Sequence, residues 1–409
     1  MYLVGADFLL LCDDSFSIIE KGGIYFDDNE IIAVDKYEKL ESLRIREKKY
    51  YENCVITPSF ANLHTHLEFS KNNGKLHYGN FGKWLDSVIV NRDSLMDSTL
   101  EEAMQREITK MLKSGISCIG AISSYGYDVE VLANSPLRVL FFNEVIGSKE
   151  EAVPFLEQSL NARIKECAQY QSKRFFPAIA IHSPYSVHET LLNKALEIAK
   201  VEELPLSVHF LESKEEREWL DNGSGYFKDF FKRFFNSDMT PFFSIESFLD
   251  KLEGLNPYFV HTLFANDNEL ERIKKLNGKI ISCPRSNRLL NNALLPLSKM
   301  YNNGFDVIFA TDGLSSNDSL SLLDELKMAL YAYSEYDVEY LAQKLLLGVT
   351  NYAFKDNKIG LKAGILKQGY VPDFAVFKLE CKEQIALNLI LNSKEALALY
   401  IGGIKVEHE

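Results

Sequence analysis

A chain of 409 residues, 46% of them hydrophobic, is too long for one ordinary core and too apolar for a disordered chain. Its net charge of −13, with no Lys/Arg stripe interleaved with aromatics, argues against a nucleic-acid partner. No apolar stretch reaches the roughly 18 residues of a membrane span, and six scattered cysteines without a C-x-x-C pair suggest reduced thiols in a cytoplasmic protein.

The chain opens with "MYLVGADFLLL". It lacks the basic head of a signal peptide, and Asp7 interrupts its apolar run, so it reads as a strand. "GGIYFDDNEIIAVDKY", from Gly22, reads as a hairpin turning at Asp27, Asp28 and Asn29. Eight short β-branched or aromatic runs follow, each ending in polar residues and leading into a helical pattern. They are "VITPSFANLHTH" (from Val55), "GISCIGAIS" (Gly115), "RVLFFNEVIG" (Arg138), "FPAIAIHSP" (Phe176), "PLSVHFLE" (Pro205), "PYFVHTLFA" (Pro257), "KIISCPRSN" (Lys279) and "DVIFATDG" (Asp306). Near-continuous apolar runs suit parallel strands covered on both faces.

Among the helical segments, Ser98 with Glu101 is a candidate capping box, and Gly115 stands where that helix should stop. Ser213 with Glu216 repeats the signature after the fifth run, and "NNALLPLSKMYNNG" reads as a helix ending at Gly304. Near the end, "GILKQGYVPDFAVFKL" looks like a second hairpin that pairs with the opening one. The pattern predicts an α/β fold: a (β/α)8 TIM-like barrel over 55–357, with a small β-sandwich built from 1–54 and 358–409. A doubly wound open sheet is the competing arrangement.

The residues with chemistry lie at the ends of these runs. In "PSFANLHTHLEF", His64 and His66 are two apart, so on a strand both imidazoles share a face and can reach one point. His182, His209 and His261 end the fourth, fifth and sixth runs, and Asp312 ends the last. In a (β/α)8 barrel that end carries the active site. His77, His188 and His408 fall elsewhere and read as incidental. A single strand histidine is more often a hydrogen-bonded core residue, and an Asp before Gly is often a turn residue. The argument rests on their convergence at one mouth. Imidazoles plus one carboxylate suit zinc or ferrous iron better than magnesium or calcium. His64, His66, His209 and Asp312 leave room for water, whose pKa such an ion lowers from about 16 towards about 7. Glu212, three residues beyond His209, is placed to carry protons between that water and a substrate, and His261 with Asp312 to hold or deprotonate the water. The plain alternative for Glu212 is a first-turn helix residue beside Ser213.

"NLHTHLE", "HSPYSVH", "HFLE", "FVHTLFA", "CPRSN" and "ATDGLSSND", in this order, resemble the amidohydrolase superfamily in its chlorohydrolase and aminohydrolase branch, over essentially the whole chain. The resemblance implies that His64, His66, His209 and Asp312 are metal ligands, that Glu212 and His261 transfer protons, and that His182 meets the substrate. No lysine stands in "IAIHSPYS" to bridge two ions, as it does in many members. This departure implies one divalent metal, Zn2+ ahead of Fe2+, and hydrolytic deamination of an amidine-like ring. "FGKWLDSV" and "CPRSN" extend the resemblance to enzymes acting on 6-amino-6-deoxyfutalosine, an adenine nucleoside with a carboxyphenyl-ketone arm on the futalosine route to menaquinone. Trp84 and Phe81 are then expected against the base or the arm, the alternative being ordinary helix-core positions. Arg285 and Arg288 are expected to meet the carboxylate, the alternative being solvated surface arginines. Other readings stay open: deamination of adenosine, methylthioadenosine, S-adenosylhomocysteine, guanine or cytosine; hydrolysis of a halide or an amide; and a catalytically dead scaffold. The expected partner is a small-molecule nucleoside, with no nucleic acid and no membrane; a homodimer is compatible with the sequence.

Overall fold

The computed structural model describes residues 1–95 and 97–407, without the side chains of 93–95; His408 lies outside the described residues. The opening residues form β1 (Tyr2–Leu10), β2 (Ile18–Phe26), β3 (Ile31–Lys36) and β4 (Glu47–Pro58). The eight runs become β5 (Phe60–Thr65), β6 (Ile116–Ser123), β7 (Arg138–Val145), β8 (Phe175–Ile181), β9 (Leu206–Phe210), β10 (Tyr258–His261), β11 (Lys279–Ser282) and β12 (Ile308–Phe309). The chain finishes with β13 (Phe374–Lys378), β14 (Ala398–Ile401) and β15 (Ile404–Lys405).

β5 to β12 form one eight-stranded sheet in chain order, every neighbouring pair parallel. The Asp312 amide donates to His64 O at 3.1 Å, which draws the last strand's end to the first and brings the sheet round as a barrel. β5, β6 and β7 are buried at every position, as strands covered on both faces must be. No helix among the described residues is long and apolar enough to cross a membrane.

The first run divides between the two sheets. Val55 to Pro58 belongs to β4, which pairs with β1 and β13, and the barrel starts at Phe60. Pro58 has no N–H to extend a ladder, and the Ser59 amide turns to Asp373 O at 3.2 Å. The second sheet runs β15-β14-β13-β4-β1-β2-β3, so the two chain ends do pair. It curls on itself. Phe26 on β2 meets Phe374 on β13 with ring centroids 5.4 Å apart, although a flat sheet would hold strands three places apart at about 14 Å. Val4, Ile24, Ile56 and Val376 fill the resulting core. The second hairpin does not form: residues 364–373 run as a loop along β3, with the Ile31 amide donating to Tyr370 O at 2.7 Å, and β13 pairs with β14 instead. Arg138, at the start of β7, is buried and holds Asp373 through two bonds of 2.5 and 3.0 Å, which ties the barrel to this sheet.

The three helix signals have three outcomes. The helix Leu100–Lys113 stops before Gly115 (φ 90°) as expected, but Asp97 rather than Ser98 works at its start, accepting from Thr99 N and Oγ1 at 2.9 and 2.7 Å. Ser213 does cap the helix Lys214–Asn222, accepting from Glu216 N at 3.0 Å. The segment ending at Gly304 is broken: one helix, Pro284–Asn291, stops at Asn292, and another, Leu297–Asn302, starts after Pro296, whose ring cannot continue a helix.

Candidate active site

The ends of β5, β9 and β10 and the turn after β12 converge. His209 Nδ1–H donates to His182 O at 2.7 Å, so its Nε2 carries the lone pair. That Nε2 lies 3.3 Å from His66 Nε2. Asp312 Oδ1 stands 3.5 Å from His64 Nε2 and 3.4 Å from His66 Nε2. The other carboxylate oxygen accepts from Ser286 Oγ and Ser316 Oγ, each at 2.7 Å, which aims Oδ1 at the histidines. Both ring nitrogens of His64 and His66 Nδ1 are buried without a hydrogen-bond partner. Unpartnered buried nitrogens and facing lone pairs are costly unless a cation sits among them. The residues therefore fit a metal: His64, His66 and Asp312 offer one ligand atom each within 4.8 Å of one another, and so do His64, His209 and His261.

The protonation states also fit. Burial lowers the His66 imidazole to about 4 and, with the neighbouring imidazoles, takes His209 well below its ordinary value. Burial alone would raise the Asp312 carboxyl, but the imidazoles of His64 and His66, with Nε2 3.5 and 3.4 Å from Oδ1, outweigh it and hold the carboxyl well below the usual range. Neutral imidazoles and an ionised carboxylate are the forms that metal binding requires. Local backbone geometry is spent on this arrangement. Leu211, His261 and Asp312 have φ of 48°, 69° and 60°, a region sparsely used by such residues and costing on the order of 1–3 kcal/mol each. A Cβ on Gly313 would lie 2.8 Å from His66 Cβ, so only glycine lets the last turn approach the first strand this closely.

Glu212 Oε1 lies 3.5 Å from His261 Nε2. Asn287 Oδ1 holds His261 Nδ1 at 2.8 Å, which turns Nε2 towards Glu212 and Asp312. Burial, then the charge of Asp312, raises the Glu212 carboxyl well above its ordinary value. Glu212 is not a first-turn helix residue: it precedes the Ser213 cap, and the Glu216 side chain, inside the helix, accepts its backbone N–H at 2.9 Å.

A cavity of about 320 Å³ opens from this cluster and is lined by His66, His209, Glu212, His261 and Asp312, with His182 and Trp84. His182 Nδ1 is held by Ser186 Oγ at 2.7 Å, and Trp84 Nε1–H donates to Ser315 O at 2.8 Å. Phe81 does not line the cavity; it is a core residue packed on Trp84 and Phe227. Arg285 and Arg288 also lie outside it. Arg285 pairs with Asp318, and Arg288 is exposed and bonds Asn292. The reason is helix phase: Ser286 and Asn287 turn inward to Asp312 and His261, so their flanking neighbours point about 100° away to either side. His188 caps the helix Glu189–Val201, accepting from Thr190 N at 3.2 Å, and neither it nor His77 lines the cavity.

The cavity wall also holds residues that the sequence reading passed over. Glu144, 2% exposed at the end of β7, accepts from Ser124 Oγ, while its Oε1 has no partner. Its ligand oxygen lies within 4.8 Å of nitrogens of His182 and His209. A carboxylate inside the apolar "RVLFFNEVIG", at a strand end, was the available signal. Phe230, Phe231 and Phe235, one and then four residues apart on the helix Tyr226–Phe235, add an aromatic wall. Arg92 lines the cavity as well.

The profile of the Amidohydrolase family matches residues 55–405. An aminodeoxyfutalosine deaminase of a Nitratiruptor species is 38% identical over 392 residues, 95% of each chain. An adenosine deaminase of Helicobacter pylori is 36% identical over 413 residues, 99% of each chain. The solved structure of H. pylori aminofutalosine deaminase in complex with methylthio-coformycin superposes over the full length of both chains, with a TM-score of 0.94 and 35% identity.

Proposed function

The chain belongs to the amidohydrolase family, and from that premise we propose that it is a metal-dependent hydrolytic deaminase of a 6-aminopurine nucleoside. Its substrate is 6-amino-6-deoxyfutalosine, and it acts in the cytoplasm on the route to menaquinone. The observation that carries the reading is the pairing of a convergent three-histidine, one-aspartate cluster with a buried Glu212, 3.5 Å from His261, whose burial raises its carboxyl well above the ordinary value and so favours the protonated form. Proton donation to a ring nitrogen needs that state of the carboxyl.

His64, His66, His209 and Asp312 would hold one divalent ion, Zn2+ ahead of Fe2+, and the ion would supply Lewis acidity that generates hydroxide at neutral pH. Glu212 Oε gives its proton to the ring nitrogen beside the amino-bearing carbon, which makes that carbon accept an oxygen nucleophile. His261 Nε2, set by Asn287 on its other nitrogen, takes the proton from the attacking water. The Glu212 carboxylate then takes the hydroxyl proton of the adduct as the carbonyl forms and passes it to the departing amine, ammonia leaves, and the proton held by His261 returns to Glu212. His182 and Trp84 position the purine, and the phenylalanine wall keeps bulk water out.

The test is a side-by-side comparison of kcat/KM by ammonia release. The expected order puts 6-amino-6-deoxyfutalosine above adenosine, methylthioadenosine and S-adenosylhomocysteine, with guanine and cytosine last. A win for guanine or cytosine overturns the substrate assignment. The H. pylori relative named as an adenosine deaminase favours a second reading, adenosine itself, which the same assay decides. Elemental analysis of protein purified without chelators should find one zinc or iron per chain. Two ions with a modified lysine would rule out the single-ion site, and metal content near zero would favour a dead scaffold.

A further inference from the structure

We propose that Arg92 is the anchor for a carboxylate at the far end of the substrate's arm, and that the wall between it and the histidine cluster takes a flat aromatic segment; this rests on the deaminase reading above. Arg92 is the only lysine or arginine among the described residues lining the cavity. On the helix Phe81–Leu95, Trp84, Leu85, Val88, Ile89 and Arg92 fall on one face and all line it. Arg92 is therefore two helical turns, about 12 Å, beyond Trp84. Trp84 is bonded to Ser315, three residues from Asp312, so the indole marks the inner end and the guanidinium the outer end.

The whole chain carries −13, so an anionic arm is disfavoured at long range and needs a local cation, which the lining supplies at Arg92. The Arg92 side chain lies within hydrogen-bonding reach of Tyr125, whose ring also lines the cavity. Lys149 Nζ stands 5.4 Å over the ring of Phe235, another lining residue, and adds a second positive charge nearby. Ile89, Ile146 and Phe235 add apolar surface to the same cavity wall. A purine at the cluster, an aromatic arm along this wall and a carboxylate at Arg92 satisfy each part of the cavity in turn.

The experiment compares the carboxylated nucleoside with its neutral carboxamide, on wild type, Arg92→Ala and Arg92→Lys. Arg92 is exposed at the mouth, so the contact is screened. Wild type should prefer the acid by about tenfold in kcat/KM, mainly through KM. Arg92→Ala should bring that ratio close to one, and Arg92→Lys should restore part of it. Calorimetry with the deaminated acid and its carboxamide gives the same comparison without turnover. An acid preference that survives Arg92→Ala in both measurements overturns the assignment, as does a wild type that prefers the carboxamide. If no 6-aminopurine nucleoside is deaminated while the Arg92-dependent binding difference persists, the deaminase reading fails and the arm site stands.

Discussion

Glu212→Gln should fold, keep its metal, and lose between about a hundredfold and ten-thousandfold in turnover, the range of a positioned acid–base group. The amide has nearly the shape of the acid, so the contact with His261 Nε2, 3.5 Å away, keeps its packing. The backbone bond from Glu212 N to Glu216 is untouched, and so is the Ser213 cap, so the turn from β9 into the helix is unchanged. Only the ability to give and retake a proton is gone. Metal content and the thermal midpoint should match wild type while kcat falls. Near-normal turnover would remove Glu212 from the chemistry.

His209→Ala should do the opposite kind of damage. His209 presents its Nε2 to His66 because the His182 carbonyl holds its other nitrogen. Its ring lies near-parallel to both His66 and His261, with centroids 5.4 and 5.6 Å away. Alanine leaves His64, His66 and Asp312 as donors and opens a gap where the fourth stood. We expect metal content to fall towards zero, turnover to vanish with it, and the thermal midpoint to drop, because an ion bound only by the folded state stabilises it by mass action. Elemental analysis beside a melting curve separates this from Glu212→Gln. A His209→Ala protein that still holds one ion per chain would remove His209 from the ligand set.

The cluster itself was legible because a strand's two-residue period and the barrel rule together say where His64, His66, His209, His261 and Asp312 must point. What escaped depended on phase or on distant chain segments. Four polar positions in "CPRSN" and the residue after it compete to face inward, and the helix turns Ser286 and Asn287 to the site and both arginines away. The first run looked like one strand, but a proline without an amide hydrogen divides it between two sheets. Arg92 drew no reading from the sequence. It lines a cavity because the helix Tyr226–Phe235 packs beside its own helix, with Tyr226 and Arg233 pinned to Asp86 at 2.7 and 3.0 Å, and adds Phe230, Phe231 and Phe235 to the same lining.

The sheet built from both chain ends has a consequence in time. β4 lies between β1 and β13, so during synthesis one edge of this long strand has no neighbour until residues 374–378 have been made. At about 5–20 residues per second, that interval is on the order of tens of seconds. Throughout it Val55 and Ile56, buried in the finished protein, sit on an open strand edge of the kind that recruits other nascent chains. Such high contact order slows closure. The yield of active enzyme should therefore respond to translation rate and chaperone supply more than the barrel alone would suggest, and ribosome-bound chains stalled before β13 should be the species that chaperones capture.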